Sequence, residues 1–360
     1  MNAEEQLISN LLSDDRVRIL LDKQDKIYWE SLITASPIDS SQVSGSLTKF
    51  TFLLSTYVLS DPSRQDLNEQ VYKLLKTLPI DEATVRNEWN DLTNIPVTDE
   101  YLSYYFFLCS IALQSNKTIS ARLALAKYQE QNASTDWGQR VLTDVLRATL
   151  YLIRKQNGFE DIRRVIHIVE NLQKEQTSFE ADYLNKYTAH KQTSEALWLV
   201  SLYHTSKAVV ETAQYILQGY NYPNRRIETI VRPHLDIAKK LAKNDRMEAV
   251  LSIIEANLNI LIKNCIWNGT AFNDKLRKLC EAKSRMGLLE LLPSQRDAIN
   301  QNLFNVAANA IVLQMPTSAG KTLLAEFNIA VTKTLLSDSK IVYVVPSRAL
   351  VNQVYHDLRT

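Results

Sequence analysis

The 360 residues carry 41 Lys and Arg against 40 Asp and Glu, a formal charge of +1, so charge alone supplies no argument for binding nucleic acid or a membrane surface. Cys109, Cys265 and Cys280 are widely spaced and odd in number, and five histidines show no ligand spacing with them. That argues against a disulfide framework or a zinc site and fits a reducing, cytoplasmic compartment. Glycine, at 7 residues, is far below its usual share of about seven per cent; strand-rich folds need glycine at turns, so a mainly α chain is expected.

Taken in order, the opening MNAEEQLISNLL is acidic and lacks a basic-then-apolar order, so no signal peptide is expected. The longest apolar run, residues 104–113, is too short to span a bilayer, which predicts a protein with no membrane partner. Helical patterns cover residues 3–23, 47–59, 63–78, 98–115 and 118–131, with a looser loop at 36–46. Residues 139–156 place Leu142, Val145, Leu146, Thr149, Leu152 and Ile153 on one side, and Asn157-Gly158 is expected as a left-handed cap. Residues 159–173 answer with Ile162, Val165, Ile166, Val169 and Leu172, so the pair is expected to fold back as an αα-hairpin. Residues 193–218 are apolar almost all round, which predicts a central buried helix ended by Gly219. Beyond Pro223, residues 226–243 and 247–264 form another pair. Hairpin upon hairpin predicts an α-solenoid or helical bundle over residues 1–264, then a linker at 265–286.

Several features in this region invite a functional reading. Tyr101, Tyr104, Tyr105, Phe106 and Phe107 have the chemistry to stack bases, although such clusters more often form helix core. Arg225, Arg226 and Arg232, and the group Lys275, Arg277, Lys278, Lys283 and Arg285, are candidates for phosphate contact or plain solvated faces. Asp81-Glu82-Ala83-Thr84 reads as the start of a helix, where acidic groups complement the dipole.

Residues 287–360 differ in kind. The stretch 291–322 reads LLPSQRDAINQNLFNVAANAIVLQMPTSAGKT: a Pro-Ser-Gln turn, an amphipathic helix, a short apolar run at 310–314 expected as a buried strand, and a lysine-containing loop. A helix follows, with Leu323, Phe327, Val331 and Leu335 on one side, then a second apolar run at 341–345. Strand, loop, helix and strand in that order predict a right-handed βαβ unit, the first of an α/β RecA-like domain. The start of a helix offers unpartnered N–H groups at the positive end of the dipole, so Thr317, Ser318, Ala319 and Gly320 are expected to hold a polyphosphate by main chain. Lys321 would set its ammonium beside the outer phosphates, and the Thr322 hydroxyl would ligate Mg2+. The usual first glycine of such a loop is here Met315.

The motifs here resemble the start of the first RecA-like domain of a superfamily 2 helicase of the superkiller-like DExH branch. Pro293 and Gln295 resemble its Q-motif, residues 315–322 its motif I, and Pro346, Ser347, Arg348 and Gln353 its motif Ia. The resemblance implies ATP and Mg2+ as cofactors, catalytic roles for Lys321 and Thr322, adenine reading by Gln295, and strand contact by motif Ia. Taken as residues, Gln295 is suited either to the adenine edge or to capping a helix, and Arg348 either to a phosphate or to a local salt bridge. The DExH box and second RecA-like domain of that family are not found before Thr360, so the chain is expected to be the front portion of an ATP-dependent helicase and inactive alone. DNA is favoured over RNA. The plan also resembles bacterial antiphage-defence helicases such as the Hachiman helicase subunit, in which a helical region serves as an adaptor for a protein partner such as a nuclease. Two alternatives remain: a helical platform that docks a protein such as a nuclease, with a nucleotide site that only regulates it, and an unrelated phosphate-loop signalling ATPase.

Overall fold

The structure, a computed structural model, describes residues 45–60, 65–131, 136–155, 159–219, 226–270, 274–308, 310–316 and 319–357, with Asp22, Lys26 and Ile33. Nearly all of the helix expected at 3–23, the Asn157-Gly158 cap, Pro223, Arg225, Thr317 and Ser318 lie outside them. The helices are α1 (Gly45–Ser60), α2 (Gln65–Thr77), α3 (Ala83–Thr93), α4 (Leu102–Gln114), α5 (Thr118–Leu125), α6 (Trp137–Arg154) and α7 (Phe159–Leu184). They continue as α8 (Ala189–Gln218), α9 (Glu228–Lys240), α10 (Asp245–Asn264), α11 (Asp274–Arg285), α12 (Pro293–Asn300), α13 (Lys321–Leu335) and α14 (Arg348–Asp357). None is long and apolar enough to cross a membrane. The chain divides into two compact units, Met1–Tyr215 with Tyr222–Leu261, and Ile216–Asn221 with Ile262–Thr360.

In the first unit the expected hairpin forms, α6 packing along α7. Its helices begin and end for identifiable reasons. The Asp136 carboxylate accepts from Gln139 N–H and caps α6, while Lys155, at φ 42°, takes the left-handed turn expected of Gly158 and donates its N–H to Tyr151. Past residue 173 α7 runs on to Leu184, although this last part has a weak apolar stripe. Tyr183 anchors it: a Cβ on Gly138 would lie 2.6 Å from the Tyr183 ring, so only glycine lets α6 and α7 approach this closely. The Tyr183 hydroxyl then donates to Glu195 at 2.8 Å. The long helix α8 buries Trp198, Leu202, Val209 and Ala213, yet Leu197, Val200 and Tyr203 are 46%, 41% and 39% exposed, so it is not buried all round as expected.

The aromatic group is core. Trp89 is fully buried and meets the rings of Phe52, Tyr104 and Phe107 edge to face at centroid distances of 5.7, 5.6 and 5.7 Å. Base stacking by Tyr104, Phe106 or Phe107 is thereby excluded, since all three are buried. All three cysteines are also buried, and burial pushes the Cys280 thiol up to about 11.

Behind this core lies a buried ionic network. Asp99 accepts from Tyr128 hydroxyl at 2.6 Å, Gln131 N–H at 3.2 Å and Arg147 Nη2 at 2.9 Å, while Arg147 also donates to the Gln131 carbonyl. A buried guanidinium and carboxylate are stable only when so fully hydrogen-bonded, and here they tie the turn before α4 to α6. Asp144 stands 3.5 Å from the same guanidinium. Burial nevertheless wins over the attraction of Arg147 and Arg140 and pushes its carboxyl from 3.8 up to about 6. The folded state thus holds this proton more tightly than the unfolded chain does, and the stability the group contributes falls as pH rises from 3.8 to about 6.

The second unit is organised on Trp267, whose Nε1 donates to the Ile216 carbonyl at 3.1 Å. Gly219, at φ +62°, ends α8 as expected, and a Cβ there would sit 2.8 Å from the Trp267 ring. Residues 265–286, expected as a linker, contain α11, which packs on α13; Leu276 and Cys280 are buried, as are Leu324, Phe327 and Val331. Lys283 pairs with Glu326 at 2.6 Å, and Lys275 donates to the Lys333 carbonyl at 2.6 Å. The buried stripe of α13 is therefore Leu324, Phe327 and Val331, with Leu335 57% exposed.

The two apolar runs differ from expectation. Among the described residues the β pairing is an isolated antiparallel bridge between Cys265 and Glu290, and residues 310–314 and 341–345 form no ladder. Val312, Val342 and Val344 are 93%, 82% and 84% exposed. Parallel strands are stable when both faces are covered, and two runs with one helix between them supply neither the faces nor the neighbouring strands.

Two outcomes follow. Asp144→Asn should raise the unfolding free energy by about 2 kcal/mol near pH 7.5, a value discounted for partial exposure, with the gain vanishing toward pH 4 in denaturant titrations. Replacing Val312 and Val344 by lysine should increase the monomeric fraction in light scattering without lowering Tm; unchanged association would show that these runs are not the adhesive surface.

Candidate functional site

The sequence brings Leu292, Pro293 and Gln295 to the start of α12, with Pro293 at its first turn, where no N–H is needed. Gln295 is 3% exposed. Its Oε1 accepts from the Leu292 N–H at 2.8 Å, which caps α12, and its Nε2 donates to the Gly320 carbonyl at 3.2 Å. The same side chain therefore joins the turn before α12 to the loop before α13. Gly320 is held at φ 72°, ψ 39°, and a Cβ there would lie 2.3 Å from Gln295 Nε2. Conformation and contact both demand glycine.

Gly320 is the N-cap of α13 and has no side chain with which to cap it. The helix start points its N–H groups and its dipole at the loop. Ala319 is buried and donates its N–H to the Pro316 carbonyl at 3.2 Å. Lys321 is exposed and its Nζ donates to the Met315 and Pro316 carbonyls at 2.9 Å each. Thr322, next on the helix, is also exposed. The first turn of α13 thus gathers an ammonium, a hydroxyl and a set of backbone donors around one loop, a donor set whose chemistry suits a polyphosphate with a hard cation. Lys321 must exchange its two carbonyl partners to reach one.

Pro346 and Ser347 precede α14 and are exposed; the Ser347 hydroxyl accepts from Leu350 N–H at 3.4 Å as a helix cap. Arg348 opens α14, exposed, and makes no ion pair among the described residues. Gln353 lies on α14; its side chain is outside the described set. The five basic residues of α11 separate in role. Lys275 and Lys283 are engaged as above, and Arg277 pairs with Glu281 at 3.3 Å and lies over the Trp267 ring at 5.7 Å. Lys278 and Arg285 are exposed. Sequence reasoning passed over Arg296, which donates Nη1 to the Leu291 carbonyl at 2.6 Å and braces the turn that Gln295 caps; burial holds its guanidinium below the usual arginine range. No pattern in the sequence marks it.

Comparison with known proteins points to the same stretch. The ATP-dependent DNA helicase Hel308 of Methanocella arvoryzae is 39% identical over 69 residues, 19% of this chain and 9% of that protein. Hel308 of Pyrococcus abyssi is 33% identical over 82 residues, 23% of this chain and 11% of that protein, and that of Thermococcus kodakarensis 36% over 73 residues, 20% and 6%. The match thus spans about a tenth of the length of these relatives. No solved structure matches the chain. Residues 292–360 match the family model of the DEAD/DEAH box helicase, so the segment carrying Gln295, Gly320 and Lys321 is similar to part of a DEAD/DEAH box helicase domain.

Proposed function

We propose that the chain is the front portion of an ATP-dependent nucleic-acid helicase of the superkiller-like DExH branch, with residues 287–360 opening its first RecA-like domain and residues 1–264 a helical adaptor. The observation that carries the reading is the first turn of α13, where a left-handed Gly320 precedes an exposed Lys321 within the matched segment. Lys321 would neutralise the outer phosphates of ATP and Thr322 would ligate Mg2+; the bound metal supplies charge stabilisation to the transferring phosphoryl group. After its two observed bonds Gln295 retains one N–H and one acceptor lone pair, the pair an adenine edge takes. Arg348, with Pro346, Ser347 and Gln353, would contact strand phosphates. The runs at 310–314 and 341–345 would pair once further strands of the same sheet are beside them. DNA is favoured over RNA because the relatives named above are DNA helicases. The exposed Leu197, Val200 and Tyr203 on α8 support a protein partner for the helical region, such as a nuclease. An antiphage role rests solely on the order of a helical region before the motor motifs.

Two measurements test the site. Lys321→Ala should weaken binding of a fluorescent, non-hydrolysable ATP analogue at least about tenfold, the loss of one charge-assisted contact, while leaving Tm unchanged because the side chain is exposed. Equal affinity in parent and variant would remove the phosphate reading. Gln295→Ala should weaken the ATP analogue more than the GTP analogue if the amide reads adenine. An equal loss for both would leave Gln295 as a strut between Leu292 and Gly320 and nothing more.

A further inference from the structure

His204 on α8 and His234 on α9 meet with their Nδ1 atoms 2.8 Å apart and their ring centroids 5.1 Å apart. That centroid separation is the N···N distance plus one ring radius at each end, so both nitrogens lie on the line joining the rings. Two lone pairs aimed along one line do not converge on a third point, as a chelated metal ion requires. One N–H aimed at one lone pair fits, so one ring presents Nδ1–H and the other a bare Nδ1.

We propose that this pair is a proton-operated latch between α8 and α9, closed with none or one added proton and forced open when both rings are cationic. The first proton from solvent goes to the far nitrogen, Nε2, of the donating ring, and leaves the Nδ1–H···Nδ1 bond in place and charge-assisted. The second has to go on the accepting Nδ1. That sets two N–H groups and two positive charges face to face, and the rings must part.

Among the described residues neither ring pairs with a carboxylate, and the nearby acidic groups are engaged elsewhere. On α8, Lys207 lies over the Tyr203 ring at 5.6 Å, and the Tyr203 ring itself meets His204 edge on at 5.8 Å. On α9, Arg232 pairs with Asp236 at 4.0 Å, and Lys239 pairs with Glu255 of α10 at 2.6 Å. Burial and the neighbouring His234 together hold His204 below the usual histidine range. The unfolded chain therefore takes up this proton more readily than the folded one, so the stability is present above the unfolded value and lost as pH falls below it. The Ser201 hydroxyl of α8 also donates to the Ala238 carbonyl of α9 at 2.7 Å, and Val231, Leu235 and Ala238 of α9 are buried.

The test is an NMR titration of the imidazoles in the 360-residue chain, with Tm followed from about pH 7.5 to about pH 5.5 in the parent, His204→Gln and His234→Gln. His204 should titrate below the ordinary value of about 6.5 and return toward it in His234→Gln. The parent should lose more Tm on acidification than either variant. Titration of His204 at the ordinary value, an equal loss in all three proteins, or a Zn2+-induced rise in parent Tm that the variants lack would each overturn the latch. The lowered titration of His204 is read in the parent, so that arm of the test stands even where a variant fails to fold.

Discussion

Gln295 is a neutral side chain almost wholly withdrawn from water, and both ends of its amide are bonded to backbone, one to the turn before α12 and the other to the residue before α13. Removing it would leave the Leu292 N–H and the Gly320 carbonyl without these partners, groups that a buried chain has to satisfy. The contact also fixes the identity of Gly320 from outside the loop, because the amide nitrogen occupies the space where any Cβ would project. The helix start on which the proposed phosphate site depends is thus positioned by a residue 25 positions earlier in the chain.

The same pattern, a polar or aromatic side chain pressed against a glycine, recurs where segments distant in sequence must come close. Tyr183 packs on Gly138 in the first unit and Trp267 on Gly219 in the second. With so few glycines in the chain, these three each serve a close approach or a left-handed turn. The helical unit then relies for its uniqueness on polar anchors inside it, above all Asp99 with Arg147. Such a pair contributes little net stability over an apolar substitute, but a misplaced partner is severely penalised, so it selects one register of α6 against the turn before α4.

Helix content, the αα-hairpin of α6 and α7, the end of α8 at Gly219, and the placement of Gly320 and Lys321 at a helix start were legible in the sequence. Each is a local signal: apolar spacing, a capping residue, or a glycine at a chain reversal. The αL cap at Lys155 was not legible, because lysine carries no turn preference and the following Asn-Gly offered a stronger one. Nor was the extension of α7 to Leu184, which is held by the buried Tyr183 and by Arg140 of α6, paired with Glu175 and lying over the Phe179 ring. The apolar runs at 310–314 and 341–345 read as strands by composition, but a strand is defined by its neighbours, and ladder pairing is not a property of one segment.

By itself, then, the sequence determined where helices form and which loop carries the glycine, the lysine and the threonine suited to a polyphosphate, since both depend on neighbours within a few residues. Only the tertiary structure decided that Gln295 grips Gly320, that Tyr104, Phe106 and Phe107 are core, that Asp99 and Arg147 are buried together, and that His204 faces His234. Each of these joins residues from 25 to 48 positions apart or sets burial, and burial is decided by what packs against a face rather than by the face itself.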